Sequence, residues 1–158
     1  MIGRREFFIG AGCLAIVPLP AIGATDVGAL ILSYSNSARR SAGLAPLAAA
    51  PALARAADQH ARAMARAGQL SHTVGGTTPV TRARGAGYRY STLAENIGYR
   101  STGRLDADGM ARYFVTAWLE SPAHRRNLLS RKVREAGIGV ASDGNRLFAV
   151  QMLAARRG

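Results

Sequence analysis

Two kinds of hydrophobic periodicity divide the chain. In several separate segments between about residue 26 and residue 128, apolar side chains recur every three or four residues, the spacing that places them on one face of an α-helix. From residue 136 to residue 153 the pattern changes to alternation, which is typical of β-strands. Helices followed by a closing hairpin predict an α+β domain with helices packed on a small sheet.

Local start and stop signals delimit the predicted helices. The helices are expected over 26–41, over 51–67 with Gly68 ending it, over about two turns from Thr78-Pro79, from Asp106 or Asp108 to about 120, and in a short segment that Ser121-Pro122 caps. Asn36 and Arg39 lie off the apolar stripe of the first helix and are predicted to face solvent. His60 lies within the stripe of the second helix, which favours a buried packing histidine over a ligand.

The tail predicts an antiparallel hairpin. Segments 136–141 and 146–153 flank the turn Asp143-Gly144-Asn145, and a further strand is expected near 97–99. Gly137 and Gly139 lie within the first hairpin strand and predict close approach by a helix or by the functional site.

Residues 1–24 have the pattern of a secretory signal peptide: a basic start, a short apolar run and small residues near its end. Arg4-Arg5 followed by Phe7-Phe8 resembles a twin-arginine export signal. An ordinary signal peptide is one alternative, and a lipid-anchored Cys13 is another, disfavoured because the apolar run continues past it. No transmembrane segment is expected after processing, so residues 25–158 would form a secreted or periplasmic domain.

The net charge of the chain indicates which binding partners are favoured. The formal net charge is +12, and loss of two arginines and one glutamate with the signal peptide would reduce it to +11. Such a domain is attracted to anionic cell-envelope polymers or lipids. The arginines are scattered and form no basic stripe with interleaved aromatics, so no nucleic-acid partner is predicted. Cys13 is the only cysteine, and the exported domain must therefore rely on its core.

Three ionisable residues have no packing explanation: His72, Glu95 and His124. Two histidines and a carboxylate form a reasonable divalent-metal set, with Zn²⁺ favoured by the nitrogen ligands. They could equally form an acid–base pair in which Glu95 orients a histidine, or a polar network that only stabilises the fold. Glu95 taken alone could also be a surface residue that caps a turn.

Several blocks, in order along the chain, resemble the bacterial branch of the CAP superfamily, which includes cysteine-rich secretory, antigen-five and pathogenesis-related proteins. The blocks are Gly43-Leu44-Ala45-Pro46-Leu47, Leu70-Ser71-His72, Gly87-Tyr88, Glu95-Asn96-Ile97-Gly98, 118–129 (Trp-Leu-Glu-Ser-Pro-Ala-His-Arg-Arg-Asn-Leu-Leu) and Gly137-Ile138-Gly139-Val140. The resemblance implies a three-layer α-β-α sandwich and a secreted, usually non-enzymatic domain whose cleft is lined by two histidines and two acids.

The resemblance assigns cleft positions to His72, Glu95 and His124. In eukaryotic members an acid follows the tryptophan by three residues, and Ser121 occupies that position here. Glu120 is one residue earlier, so on a helix it would point about 100° away. The candidate cleft residues are therefore His72, Glu95, His124, Glu120 and Ser121, with His72 and His124 as candidate metal ligands together with Glu95.

The sequence favours a secreted binding domain over an enzyme. The leading hypothesis is a non-enzymatic CAP domain that holds a divalent cation, or a small or lipid-like ligand, in this cleft. The alternative is a metal-assisted hydrolase of an extracellular substrate, with Glu95 as general base. Ser71 or Ser121 could instead be a nucleophile beside a histidine, although no feature of the sequence shows an activated serine.

Overall fold

The computed structural model describes residues 24–158, with side chains from residue 27 onward. The predicted signal peptide, its twin-arginine pair and Cys13 lie outside the described residues, apart from Ala24, the first residue of α1. The elements in chain order are α1 (Ala24–Ser41), β1 (Ala48–Ala49), α2 (Pro51–Ala67), a 3₁₀ turn (Val74–Gly76), α3 (Pro79–Gly85), β2 (Tyr90–Ser101), α4 (Ala107–Glu120), α5 (Pro122–Leu128), β3 (Glu135–Ser142) and β4 (Arg146–Arg156). None of the helices within 24–158 has the length and apolar character needed to cross a membrane.

The strands form one sheet in the order β1-β3-β4-β2. β3 and β4 form the predicted antiparallel hairpin, β2 pairs antiparallel with β4, and β1 pairs parallel with β3. The strand expected near 97–99 is present and much longer, covering 12 residues. β2 therefore lies at an edge of the sheet, with one side of its backbone available to other parts of the chain.

Helices cover both faces of the sheet, which confirms the predicted α-β-α sandwich. Phe148, Val150 and Met152 of β4 pack with α2 in one core cluster. Leu147 and Ala149 point the other way and pack with α1 and α4 in a second cluster. Because β4 is buried on both faces, its side chains alternate between two cores rather than between core and solvent.

The backbone of α2 lies directly against β3, where two glycines allow the close approach. A Cβ atom at Gly137 would lie 2.1 Å from the Ala54 nitrogen, and one at Gly139 would lie 2.1 Å from the Ala57 carbonyl carbon. Side chains at either position would therefore push the helix off the sheet. The prediction of close approach is confirmed, and α2 is the element that approaches.

Most predicted helix ends are confirmed by their capping geometry. Gly68 follows α2 in the left-handed conformation (φ 62°) and donates to the carbonyl of Ala65. Thr78 forms a capping box with Thr81, and Asp106 caps α4 through the amide of Gly109. Ser121 occupies the N-cap position of α5, but its side chain makes no cap hydrogen bond.

The prediction that Asn36 and Arg39 face solvent was wrong. The Asn36 side chain bonds both the amide and the carbonyl of Leu47. Arg39 is buried and donates to the carbonyls of Ala45, Leu128 and Ser130, so it joins α1 to the C-terminal end of α5. The apolar face of a helix shows only where the helix packs against the main core. Asn36 and Arg39 lie on another side of α1, where they contact a loop and the end of α5.

Candidate functional site

The site is built around Glu95 on the edge strand β2. Glu95 pairs in register with Met152 and is 6% exposed, so its side chain belongs to the face of the sheet that α2 and α3 cover. One carboxylate oxygen accepts from His72 Nδ1 at 2.8 Å, and the other accepts from Arg82 Nη2 at 2.7 Å. A buried carboxylate needs such partners, and the alternative of a surface glutamate capping a turn was wrong.

Arg82 of α3 is the part of the site that the sequence did not reveal. It is 7% exposed, and besides Glu95 it donates through Nη1 to the carbonyls of His72 and Thr77 and to the Thr77 hydroxyl, at 3.0–3.1 Å. One guanidinium thus neutralises Glu95 and holds the loop that carries His72 at two points. With 21 basic residues in the chain, local sequence could not single out this one.

His72 presents one ring nitrogen outward. An ionised carboxylate can only accept, so the Glu95 contact places the proton on Nδ1 and the lone pair of the neutral ring on Nε2. The side chain is 46% exposed, so Nε2 is available to a ligand. A carboxylate behind a histidine in this way orients the ring and increases its basicity toward a metal.

His60 supports the same loop from beneath. It is 1% exposed, as predicted for a packing residue, and its Nε2 lies 2.9 Å from the carbonyl of Ser71. Its Nδ1 is buried without a partner within residues 24–158. Burial lowers the pKa of His60, and the positive charge of Arg82 lowers it further, so the ring is neutral at pH 7.

A second polar network holds the start of α5 against the opposite face of β2. Asn96 donates to the carbonyl of His124 at 3.2 Å and to Gln151 at 3.0 Å, and it accepts from Asn127 at 3.0 Å. Gln151 continues the chain of hydrogen bonds to Ser35 on α1. Asn96 and Gln151 are fully buried, so this network positions His124 through its backbone.

His124 itself lies on the first turn of α5 and is half-buried. Burial lowers its pKa, and the charge of His72, when protonated, lowers it further. The two histidines belong to segments that pack against opposite faces of β2, since Glu95 contacts His72 and the adjacent Asn96 contacts His124. The neutral form of His124 at pH 7 is the form that binds metals.

The two remaining candidates lie at the junction of α4 and α5. Glu120 is exposed at the end of α4, and Ser121 follows it at the N-cap of α5. Neither side chain makes a hydrogen bond or ion pair with His72 or Glu95 among the residues that the structure describes. Trp118 is structural, because its buried ring donates to the carbonyl of Ile97 at 3.1 Å.

The arrangement limits how a metal could be held. Within 24–158 no group of three or more His, Cys, Asp or Glu side chains is arranged to hold an ion. Each oxygen of Glu95 already accepts one hydrogen bond, from His72 or from Arg82, which fits an orienting role. The donors that remain are Nε2 of His72 and the ring of His124, which suit a cation that completes its coordination with water or a bound ligand.

Comparison with known proteins identifies the same kind of domain. Residues 32–153 match the family described as CAP: Cysteine-rich secretory protein family. An extracellular protein of Bacillus anthracis that contains an SCP domain is similar in structure, with a TM-score of 0.72, 25% identity, and coverage of 85% of this chain and 41% of that protein. The chain therefore spans less than half the length of that relative.

Two further solved structures share the fold. An outer surface protein of Borrelia burgdorferi has a TM-score of 0.75 at 21% identity, covering 86% of this chain and 97% of that one. The protein NaASP2, solved with Zn²⁺, has a TM-score of 0.63 at 15% identity, covering 85% and 82%. No curated protein matches the chain significantly. The family match spans most of the chain and agrees with the observed sandwich, so the protein belongs to the CAP family of cysteine-rich secretory proteins.

Proposed function

We propose that this protein is an exported, non-enzymatic CAP domain that binds a divalent cation between His72 and His124. The observation that carries the proposal is the 2.8 Å contact between His72 Nδ1 and Glu95. With Nδ1 engaged, Nε2 is the ring nitrogen that remains for a ligand on the 46% exposed His72 side chain. His124 lies on the first turn of α5, which Asn96 of β2 holds through the His124 carbonyl. Zn²⁺ is the cation of choice because both donors are imidazole nitrogens.

The residues of the proposed cation site have different roles. His72 and His124 supply the nitrogen donors, Glu95 orients His72, and Arg82 holds Glu95 and the loop in place. A bound Zn²⁺ would supply a Lewis-acidic centre with positions left for other ligands. A small or lipid-like molecule with an oxygen donor could occupy these positions, which accommodates both ligand classes expected from the sequence.

Relatives support the choice of probe and of compartment. NaASP2 shares the fold and was solved with Zn²⁺, and the Bacillus anthracis relative is extracellular. The Borrelia burgdorferi protein is an outer surface protein. These facts favour Zn²⁺ as the first cation to test and an exported location, in line with the signal peptide predicted over residues 1–24. The net charge of +12 favours adhesion to anionic envelope polymers or lipids once outside the cell.

The hydrolase alternative has less support. A general base at Glu95 would have to accept a proton while each of its oxygens already accepts a hydrogen bond, one from His72 and one from Arg82. The Ser71 hydroxyl contacts Thr73 instead of a histidine ring. Binding therefore explains the arrangement of these side chains better than hydrolysis does.

Calorimetric titration with Zn²⁺ at pH 7 tests the proposal. The protein should bind Zn²⁺, and the double variant His72→Ala, His124→Ala should not. Glu120→Gln is the control, because it removes an exposed acid near His124 that makes no contact with His72 or Glu95, and it should bind as the wild type does. Equal Zn²⁺ binding by the wild type and the double variant would refute the metal proposal.

A further inference from the structure

A basic pocket lies away from the histidine cleft, where the C-terminal end of β4 meets the segment between α3 and β2. Its volume is about 380 Å³, and it is lined by Arg84, Gly87, Tyr88, Arg89, Tyr90 and Arg157. Half of these lining residues are arginines. These three arginines are exposed, whereas Arg39 and Arg82 are buried and donate hydrogen bonds to structural partners.

The backbone brings the three arginines together from separate segments. Gly87 adopts φ +78° and donates to the carbonyl of Arg84, and the chain then turns away from the end of α3. The amide of Arg157 donates to the carbonyl of Arg89 at 3.1 Å, which fixes those two backbones side by side. The pocket is thus a defined part of the fold, since each arginine is attached to a hydrogen-bonded segment.

The positive charge of the pocket is not neutralised by neighbouring acids. None of Arg84, Arg89 and Arg157 forms an ion pair with a carboxylate in the described part of the chain. Glu135 is nearby, but it already accepts from the hydroxyl of Tyr88 and pairs with Arg156 at 3.2 Å. Three like charges around one concavity repel one another, and a bound anion would relieve that repulsion.

We propose that this pocket binds a phosphate group, either free or as the headgroup of an anionic phospholipid. Guanidinium groups match phosphate oxygens with paired hydrogen bonds, and arginine is the residue best suited to this recognition. The inference deepens the proposed attraction to anionic surfaces, on which it rests, by assigning it to named residues. It does not depend on metal binding by His72 and His124.

The test compares two triple variants with the same change in charge. The site variant carries Arg84→Gln, Arg89→Gln and Arg157→Gln. The control variant carries Arg55→Gln, Arg66→Gln and Arg104→Gln, which are exposed, lie outside the pocket and form no ion pair among the described residues. The full chain of each protein is titrated with inorganic phosphate and sedimented with phosphatidylglycerol or phosphatidylcholine vesicles, at about 0.15 M salt.

The site variant should bind phosphate or phosphatidylglycerol vesicles at least about tenfold more weakly than the wild type, because it loses several charge-assisted hydrogen bonds. The control variant should change less than about twofold, since its arginines contribute only to the screened general field. Loss confined to inorganic phosphate identifies a free-phosphate site, and loss confined to vesicles identifies a headgroup site. All the substituted side chains are exposed, so both variants should have the melting temperature of the wild type. If the site variant melts at a lower temperature, the single variant Arg89→Gln replaces it in the binding tests.

Two results would overturn the inference differently. Equal weakening of binding in both triple variants would refute the local phosphate site. It would still be consistent with a diffuse attraction of the whole basic surface to anionic surfaces. Both the local site and the diffuse attraction would be refuted if the wild-type protein does not bind inorganic phosphate and binds phosphatidylglycerol vesicles no more strongly than phosphatidylcholine vesicles. Binding of a DNA duplex through the same arginines, without either phosphate probe, would also overturn the proposal of a phosphate or headgroup site.

Discussion

Breaking the ion pair between Glu95 and Arg82 should destabilise the protein far more than removing the contact between Glu95 and His72. Glu95→Gln tests this, because glutamine keeps the size and an acceptor oxygen but removes the charge. The Glu95 and Arg82 side chains are 2% and 4% exposed, so the substitution would leave a buried guanidinium without its counter-charge. Breaking a buried ion pair in this way costs about 3–5 kcal/mol.

Removing the contact between His72 and Glu95 should cost much less free energy of unfolding. The His72 side chain is 46% exposed, so solvent screens the interaction and His72→Ala should cost about 1 kcal/mol or less. Arg82→Met should cost about as much as Glu95→Gln, because it leaves the carboxylate buried without its cation. The double variant Glu95→Gln, Arg82→Met should cost clearly less than the sum of the two, since the second change removes a group that the first had already left unpaired.

Urea denaturation at pH 7 measures all four variants on one scale. The midpoints should fall strongly for the two charge deletions and little for His72→Ala, with similar slopes if the unfolded states are alike. The reasoning fails if Glu95→Gln costs no more than His72→Ala, or if the double-variant cost equals the sum. Either result would mean that Arg82 finds enough solvation without Glu95 and that the carboxylate serves His72 alone.

Two further predictions concern packing and pH. Gly139→Ala should destabilise the protein by about 3 kcal/mol or more, because its Cβ would lie 2.1 Å from the Ala57 carbonyl carbon, whereas Gly85→Ala, with no atom within 4 Å, should be neutral or slightly stabilising in the same thermal melts. Burial lowers the pKa of His60 below its usual 6.5, so the unfolded state binds the proton more readily and the free energy of unfolding should fall as the pH drops below about 6.5. His60→Gln should reduce this slope in urea titrations between about pH 7 and 5, and an unchanged slope would exclude His60 as its source.

Elements with strong local signals could be predicted from the sequence nearly to the residue. α2 begins at Pro51 and ends at Ala67 as expected, because proline at the first turn and Gly68 after the last are independent local signals. The hairpin followed from alternation around an Asp-Gly-Asn turn. β1 was missed, because a strand of two residues has no periodicity and exists only through its pairing with β3.

The site was predicted in part, and the missing part has a common cause. The sequence singled out three ionisable residues that local packing does not explain: His72, Glu95 and His124. Arg82 did not, because an arginine on a short exposed helix is ordinary until the tertiary fold places it 2.7 Å from a buried carboxylate. Arg39 was assigned to solvent for the same reason, since its carbonyl partners lie up to 91 residues away.

The sequence alone determined the succession of helices and strands, the helix-packed character of the sheet and the family, because these depend on periodicity, capping and short motifs. Only the tertiary structure decided what each polar group does. It brought both oxygens of Glu95 within hydrogen-bond distance of partners, one with Arg82 and the other with His72. It also gathered Arg84, Arg89 and Arg157 around one pocket, although the sequence shows them as scattered charge. The physical reason is that hydrogen bonds and ion pairs act over a few ångströms in space, and distance along the chain does not reveal which groups will be that close.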